Sequence, residues 1–542
     1  MLDRSKRTIS ASARPSTPRR ALPIAGLVLA LAGAHIIYLR FLCDDAFISF
    51  RYAANLAHGH GLTYNPGERV EGYSNFLWTL FASVVVRLGG RPELVMPVVS
   101  ALLAILTVAI VMAWVHRRQG NPAYAGLLLA ANTGFAAWGT SGLETALFTF
   151  LVTAGCLAVA SGLDARSTRP PRLLLGAWLL SLASLTRPDG LLVSACAGAF
   201  MLLQAVRRRL PWASWWSWAA LWTACVAPHL VWRHAYYGRW LPNSYAIKGP
   251  ALGSFVDGAA YLAGAFVHVH LALLALPIAI GIVLRTCRGL APREAILLAW
   301  VVVPFLLYVC STGGDWMPLY RFTVPMLPLV AVASGATLEA IAARLGQRAG
   351  RTAAAACALA LFIPYVALNA AGSLHEQEVW DRGEVTSVGA SRLNVENMER
   401  IGGLLAQVCL PTDTLATSAA GIVPYRSGLY NVDLLGLNAP DLSQFRRRAT
   451  HRPGHRFLLA ADRLHALRPQ ILLADPVVRP TPAHIGLSLD LEPPWRDRIL
   501  ADYTLVALAL AGTPTRYVGC MLRNDILSRV QEASARLEQT RP

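Results

Sequence analysis

The sequence predicts a polytopic α-helical membrane protein with a C-terminal α/β domain, and three observations lead there. Hydrophobic residues make up 55% of the 542 and charged residues only 15%, a composition outside that of ordinary soluble domains. Apolar runs of spanning length recur from residue 22 to about residue 371, which calls for repeated crossing of a bilayer. Beyond residue 371 the pattern changes to strand-like alternation and amphipathic helix periods.

The net charge of +18 is not a nucleic-acid footprint. The basic residues sit in short clusters between apolar runs, as membrane topology requires, so no nucleic acid is expected as a partner. Nearly every base is Arg; Lys occurs only at Lys6 and Lys248. The nine cysteines are scattered without a C-x-x-C pair, and most lie inside apolar runs, which argues against zinc and against a disulfide framework. Cys409 and Cys520 are the two that an extracytoplasmic tail would leave open to pairing.

Taken in order, residues 1–20 form a basic tail, cytoplasmic by the positive-inside rule. Residues 22–39 read as a retained first span, because Arg40-Phe41-Leu42-Cys43-Asp44 is not a small-residue cleavage site. The remaining spans are expected near 94–115, 121–138, 143–161, 172–187, 189–206, 212–232, 258–284, 292–310, 320–340 and 352–371, eleven in all. That map puts the clusters at Arg117, Arg166, Arg207, Arg285 and Arg344 inside, provided the thirteen-residue segment 76–88 is interfacial or re-entrant. Residues 21–371 are then the membrane domain, with 40–75 its first outer loop, and 372–542 an extracytoplasmic α/β domain. In that tail, helices are expected at 393–408, 461–467 and 524–539. Strands are expected at Thr414–Thr417, Val432–Leu435, 470–474, 503–510 and 515–522.

On this map the polar motifs converge on the outer face. The first is Asp44-Asp45, at the mouth of the first span, where adjacent carboxylates are costly unless they bind a cation, pair with a base or take protons. The others are Glu71 to Tyr73, Gly142 to Thr145, Thr186 to Gly190, Asn243 to Lys248 and Gly313 to Arg321. Acids and bases gathered at a membrane–water boundary suit transfer of a group from an amphipathic phosphate donor to a hydroxyl. The hydroxyl needs a base, and the departing phosphate needs cations or a metal.

Asp44 is the expected base. Asp45 supports a metal or an arginine, and the pair together forms the candidate ligand set for Mg²⁺, Mn²⁺ or Ca²⁺. In an extended segment the two side chains would point oppositely. Lys248, Arg187 and Arg321 are the candidates for the donor phosphate. Glu144, Asp189, Asn243, Tyr245, Asp315, Trp316, Glu71 and Tyr73 are candidates for substrate binding. Each has a structural alternative. Asp44-Asp45 would serve as an N-cap pair for a helix over Phe47–Ala57, and Glu144 as a helix N-terminal charge. Arg187 and Asp189 would pair around a Pro turn, and Trp316 would be a belt residue. His58 and His60 read as solvated loop residues. The tail segments Gly421 to Gly428 and Asp433 to Asn438 read either as glycan-binding turns or as loops that pack the tail on the membrane domain.

The segment Asp44-Asp45-Ala46-Phe47-Ile48-Ser49-Phe50-Arg51-Tyr52, followed by Gly59-His60-Gly61-Leu62-Thr63-Tyr64-Asn65-Pro66-Gly67-Glu68-Arg69-Val70-Glu71-Gly72-Tyr73, resembles the first outer loop of GT-C glycosyltransferases. It is most similar to that of the terminal β-(1→2)-arabinofuranosyltransferases of actinobacterial cell-wall arabinan. The later motifs, including Val432-Asp433-Leu434-Leu435-Gly436-Leu437-Asn438, share the likeness, which covers most of residues 40–440. The resemblance implies an inverting membrane enzyme that takes arabinofuranose or a similar sugar from a polyprenyl-phosphate donor to a cell-envelope glycan. It also implies an acid at the Asp44-Asp45 position as base or metal ligand. The tail motif ends Asn438-Ala439 where an acid is expected after the Asn. Rival expectations are the same chemistry with another sugar onto lipopolysaccharide, lipid A or a surface protein, a lipid or sugar transporter, and a non-catalytic scaffold with a glycan-binding tail.

Overall fold

The computed structural model describes residues 18–163, 169–248, 254–283, 292–379, 387–447, 457–484, 495–512 and 515–539. The basic tail before residue 18, the clusters around Arg166 and Arg285, and the side chain of Lys248 lie outside them.

The first helix, α1 (Pro18–Tyr38), is followed by two short helices, α2 (Asp44–Ala57) and α3 (Phe76–Arg87). The 12-residue α3 is the segment that the topology required not to cross. Next come α4 (Pro92–Arg117), α5 (Pro122–Ala130), α6 (Thr133–Ala137), α7 (Thr145–Gly162), α8 (Pro170–Thr186), α9 (Asp189–Val206) and α10 (Trp212–Tyr237). The membrane part closes with α11 (Asn243–Lys248), α12 (Ser254–His268), α13 (Leu271–Val283), α14 (Pro292–Thr312), a 3₁₀ turn over Pro318–Met326, α15 (Leu327–Ala349) and α16 (Arg351–His375).

Helix starts follow local chemistry. The Asn121 side chain accepts the Ala123 N–H and Asn132 accepts the Phe135 N–H, so each Asn opens a new helix. The second of these caps breaks the span expected over 121–138 into α5 and α6. The span expected over 258–284 is likewise broken, α12 and α13 meeting at 84°. Among the described residues six helices are long and apolar enough to cross a bilayer, or seven if the bent pair counts as one span. The predicted count of eleven is therefore not reproduced. Besides the two broken spans, the apolar stretch of α1 (Pro23–Tyr38) falls short in length, α8 has 17 residues, and the Trp-rich α10 is not apolar enough.

The C-terminal part opens with α17 (Val388–Val408), capped by Ser387, and carries β1 (Thr414–Thr417), α18 (Ile422–Ser427), β2 (Tyr430–Asp433), β3 (Phe445–Arg447), β4 (Phe457–Leu459), α19 (Ala461–Leu467), β5 (Ile471–Ala474), β6 (Val478–Arg479), α20 (Trp495–Asp502), β7 (Tyr503–Leu510), β8 (Arg516–Arg523) and α21 (Leu527–Gln539). The six-stranded sheet runs β2-β1-β5-β8-β6, with β7 also paired to β8. β1 is parallel to β2 and β5, while β8 is antiparallel to its three neighbours. The β1–α18–β2 crossover is what a parallel pair requires. The strands read from alternation are present, and the short β3, β4 and β6 are additional. Cys409 and Cys520 are free thiols.

One interface positions the site. Arg51 of α2 reaches across to the C-terminal part, where Nη2 donates to Leu429 O at 2.8 Å while Nε donates to Tyr64 O at 2.8 Å. Its guanidinium lies 4.6 Å over the Tyr64 ring. Tyr64 OH donates to Ala420 O at 2.6 Å, and Asn65 Nδ2 donates to Asn431 O at 3.0 Å. The loop between α2 and α3 is thus held between the helices and the sheet.

Candidate functional site

Helix α2 begins at Asp44, with Cys43 as its cap residue and no side-chain capping bond, so both acids lie in the first turn rather than at the cap. Because the segment is helical and not extended, neighbouring side chains diverge by the helical period. Asp45, Ile48 and Ser49 share one face and line a cavity that encloses about 130 Å³. Asp44 instead lines a small recess with Cys43, Trp316 and Met317. Its Oδ1 accepts the Ile422 N–H at 2.8 Å. Asp44 keeps some accessible surface, yet its carboxyl is enclosed, and burial pushes its pKa up to about 7 against the pull of the Ile422 N–H. The structure thus separates the two acids, which the sequence placed side by side. Asp45 faces the cavity, and Asp44 clips α2 to the turn before α18. Gly421 is required at that turn, since a Cβ would stand 2.1 Å from Asp44 O.

The cavity wall is a polar chain running through five segments. Ser49 Oγ donates to Asn75 Oδ1 at 2.9 Å, and Asn75 Nδ2 donates to Glu144 Oε2 at 2.8 Å. Arg187 Nη1 donates to Glu144 Oε1 at 2.7 Å, and its Nη2 donates to Asp189 Oδ2 at 2.6 Å. Tyr308 OH of α14 closes the chain on Asp189 Oδ1 at 3.0 Å. The Arg187 guanidinium is also sandwiched between the rings of Phe148 and Phe322 at 5.5 and 5.2 Å. Burial works against its charge, but the Asp189 and Glu144 carboxylates more than offset this and hold its pKa above the usual arginine value.

Opposite, Arg321 Nε pairs with Asp315 Oδ2 at 2.7 Å. Leu319 and Tyr320, just before it, adopt left-handed φ of 57° and 52°. This sparsely populated backbone for non-Gly residues gathers at functional sites. Tyr73, Tyr245 and Leu437 complete the cavity. Leu437 comes from the C-terminal part, where Asp433 Oδ2 accepts the Asn438 N–H at 2.8 Å and sets the turn. Asn438 Oδ1 in turn accepts from Tyr52 OH at 3.1 Å, and Gly72 is needed because a Cβ there would stand 2.0 Å from that oxygen. Both Gly-rich tail turns thus pack on α2 and the loop that follows it.

Eight of the predicted site residues therefore meet in one cavity: Asp45, Tyr73, Glu144, Arg187, Asp189, Tyr245, Asp315 and Arg321. Three do not. Glu71 is buried against Arg233, with its Oε2 2.9 Å from Nε, and burial raises its pKa to about 7 despite that partner. Asn243 is a clip, accepting from Arg239 Nη1 at 2.6 Å and donating to Ala439 O at 2.8 Å. Trp316 lies in the recess on the Asp44 side. His58 and His60 are exposed. Lys248 ends α11, four residues or about one helical turn from the cavity residue Ser244, with its side chain outside the described residues.

The lining carries four carboxylates against two guanidiniums. Three of the four are paired with those arginines. Among the described residues no cation pairs with Asp45, which leaves an ionisable oxygen pair facing the cavity. No group of three His, Cys, Asp or Glu converges among the described residues. Ser49, Asn75 and Tyr308 were not named as site residues, and Leu437 only as part of the Asp433 to Asn438 turn. The spacing of Ser49 four residues after Asp45 on a helix carries a signal, whereas Tyr308 has none in sequence.

Comparisons with known proteins bear on the fold. Residues 389–523 match a family described as a domain of unknown function (DUF8728). The chain is 26% identical over 332 residues to a terminal β-(1→2)-arabinofuranosyltransferase of Mycobacterium tuberculosis, covering 54% of this chain and 52% of that one. It is 26% identical over 337 residues to the Corynebacterium glutamicum protein of the same name, covering 53% and 48%. The chain thus spans about half the length of the curated relatives it matches. ArnT from Cupriavidus metallidurans superposes with a TM-score of 0.57 in the apo state and 0.55 bound to undecaprenyl phosphate. Identity is 14% in both, over 93% of this chain and 98% of ArnT. The GT-C resemblance read from the motifs is borne out: the chain is a multi-pass membrane protein with the GT-C fold, similar over half its length to terminal β-(1→2)-arabinofuranosyltransferases.

Proposed function

We propose that the protein is an inverting glycosyltransferase that moves a sugar, arabinofuranose first among them, from a polyprenyl-phosphate donor to a hydroxyl of a cell-envelope glycan. The observation that carries this reading is the Asp45 carboxylate, which no cation pairs among the described residues, in a cavity whose other carboxylates are held by Arg187 and Arg321. The acceptor hydroxyl gives its proton to Asp45 as its oxygen attacks the anomeric carbon. The bond from that carbon to the phosphate oxygen breaks, and both electrons leave with the phosphate, so the new bond forms on the opposite face of the sugar.

Arg187 uses three of its five N–H groups on Glu144 and Asp189, leaving donors for the departing oxygen. Arg321 and Lys248 are its proposed companions. Of the acidic pair, Asp45 is the one open to a divalent cation, Mg²⁺, Mn²⁺ or Ca²⁺, which would neutralise phosphate charge when bound. The fixed pairing of Glu144, Arg187 and Asp189 suits stabilisation of developing charge without reorganisation.

We place the cavity and the C-terminal part outside the cytoplasmic membrane. Asp189 opens the 18-residue α9 at the cavity and Arg207 to Arg209 follow its far end, about 27 Å away at the helical rise, where the positive-inside rule puts them in the cytoplasm. The likeness to ArnT, whose structure holds undecaprenyl phosphate, supports the donor class.

The test is transfer by the purified full chain in lipid nanodiscs, with polyprenyl-phosphate arabinose and a synthetic arabinan acceptor. The expected result is a product whose new anomeric bond, read by NMR, has the configuration opposite to the donor's. Product only with another lipid-linked sugar corrects the sugar and keeps the class, whereas no product with any lipid-linked sugar overturns the reading.

A further inference from the structure

A groove of about 890 Å³ lies away from the reaction cavity, between α1 and α4. Its walls are apolar, formed by Ile37 of α1 with Val98, Ala101 and Leu102 of α4. Ile37, Val98 and Leu102 are each about 60% exposed, so the groove opens sideways to the bilayer. Its rim is charged. Glu93 and Glu396 are there, each already paired: Glu93 with Arg91 at 2.9 Å and Arg426 at 3.2 Å, and Glu396 with Arg400.

The other two rim charges, Arg40 and Arg392, have no carboxylate among the described residues. Arg392 spends its donors on neutral oxygens, Arg40 O at 2.7 Å, Tyr38 O at 3.0 Å and Gln377 Oε1 at 2.6 Å. Burial first, and then the nearby Arg40 charge, lower its pKa. Two guanidiniums that repel each other above an apolar slot call for an anion carrying hydrocarbon. The slot is open to the surrounding lipid, and the lipid present there at the highest effective concentration is the bilayer's own.

We propose that this groove is a binding site for an anionic bilayer phospholipid, with its acyl chains along α1 and α4 and its phosphate at Arg40 and Arg392. Arg40 is followed directly by Phe41, Leu42 and Cys43, which lead into Asp44 and Asp45. Occupancy therefore steadies the segment from which α2, and with it Asp45, is hung. The site is independent of which sugar the cavity handles.

The experiment uses the delipidated full chain and native mass spectrometry with dioleoyl phosphatidylglycerol, dioleoyl phosphatidylcholine and undecaprenyl phosphate as separate probes. The expected result is one retained phosphatidylglycerol, held about tenfold more tightly than phosphatidylcholine, as for one charge-assisted contact. Arg40→Gln should remove that preference, and Ala101→Trp, which fills the slot, should remove the lipid altogether. Arg392 holds the end of α1, so its variant is not the primary test. A rise in melting temperature on adding phosphatidylglycerol, present in the native chain and absent in Arg40→Gln, is the second readout. Equal retention of the neutral lipid, unchanged binding by Arg40→Gln, or displacement of phosphatidylglycerol by equimolar undecaprenyl phosphate would each overturn the proposal. Transfer activity with no phosphatidylglycerol preference would overturn this site alone and leave the proposed reaction standing.

Discussion

Asp45→Asn is expected to lower the rate of sugar transfer by about 10²–10⁴-fold, the contribution of a positioned general base, while leaving donor binding in place. The exchange keeps the shape of the side chain and removes only its ability to take a proton. Asp44→Asn is expected to behave differently, because its Oδ1 accepts the Ile422 N–H and an amide oxygen accepts the same bond. That variant should keep most of its transfer rate and change the dependence of stability on pH. The Asp44 carboxyl, with its pKa raised to about 7 in the fold, holds a proton that an unfolded aspartate, near pKa 3.9, has already lost. Its contribution is thus fully present below about pH 4 and is lost as pH rises through about 7. Unfolding midpoints at pH 5 and pH 8 should differ less in Asp44→Asn than in the native chain. If Asp44→Asn abolishes transfer and Asp45→Asn does not, the roles given to the two acids are wrong.

Arg187→Ala carries the largest expected loss of stability. It strands Glu144 and Asp189, buried acids whose carboxylates lie 2.7 and 2.6 Å from the guanidinium. Breaking such a pair from one side costs about 3–5 kcal/mol. Arg187→Lys should recover little of this, since a single ammonium cannot bridge two carboxylates through separate nitrogens or fill the slot between Phe148 and Phe322. The measurement is thermal unfolding in nanodiscs, with Glu144→Gln alongside as a milder lesion that keeps the Asp189 bond. An Arg187→Ala chain as stable as the native one would show that the pair contributes nothing.

The fold was legible because a membrane helix must be a long apolar run, and such runs stand out against the basic clusters between them. The count of spans was not legible. Hydropathy sees an apolar stretch over 121–138 but not that Asn132 opens a new helix there, and it cannot see the 84° bend between α12 and α13. The cavity was legible as a set of motifs at the same ends of the helices, which is why residues from Asp45 to Arg321 meet in it.

The division of labour inside that set was not legible, because it depends on the phase of a helix. Asp44 and Asp45 are chemically identical neighbours, and only the rotation of α2 against the Gly421 turn decides which faces the cavity. Residues such as Asn243 and Glu71 carry the polarity of a binding residue but spend it on Arg239 and Arg233. Composition does not reveal which partner, near in sequence as Arg239 or distant as Arg233, will take up a polar side chain.

The most direct test is a structure of the Asp45→Asn chain in nanodiscs with a polyprenyl-phosphate arabinose donor. The account predicts the sugar in the cavity between residue 45, Glu144 and Arg321, with the phosphate toward Arg187 and the anomeric carbon facing residue 45. A donor found with its sugar outside that cavity, or with its phosphate at the opposite ends of the helices beside Arg207 to Arg209, would contradict it.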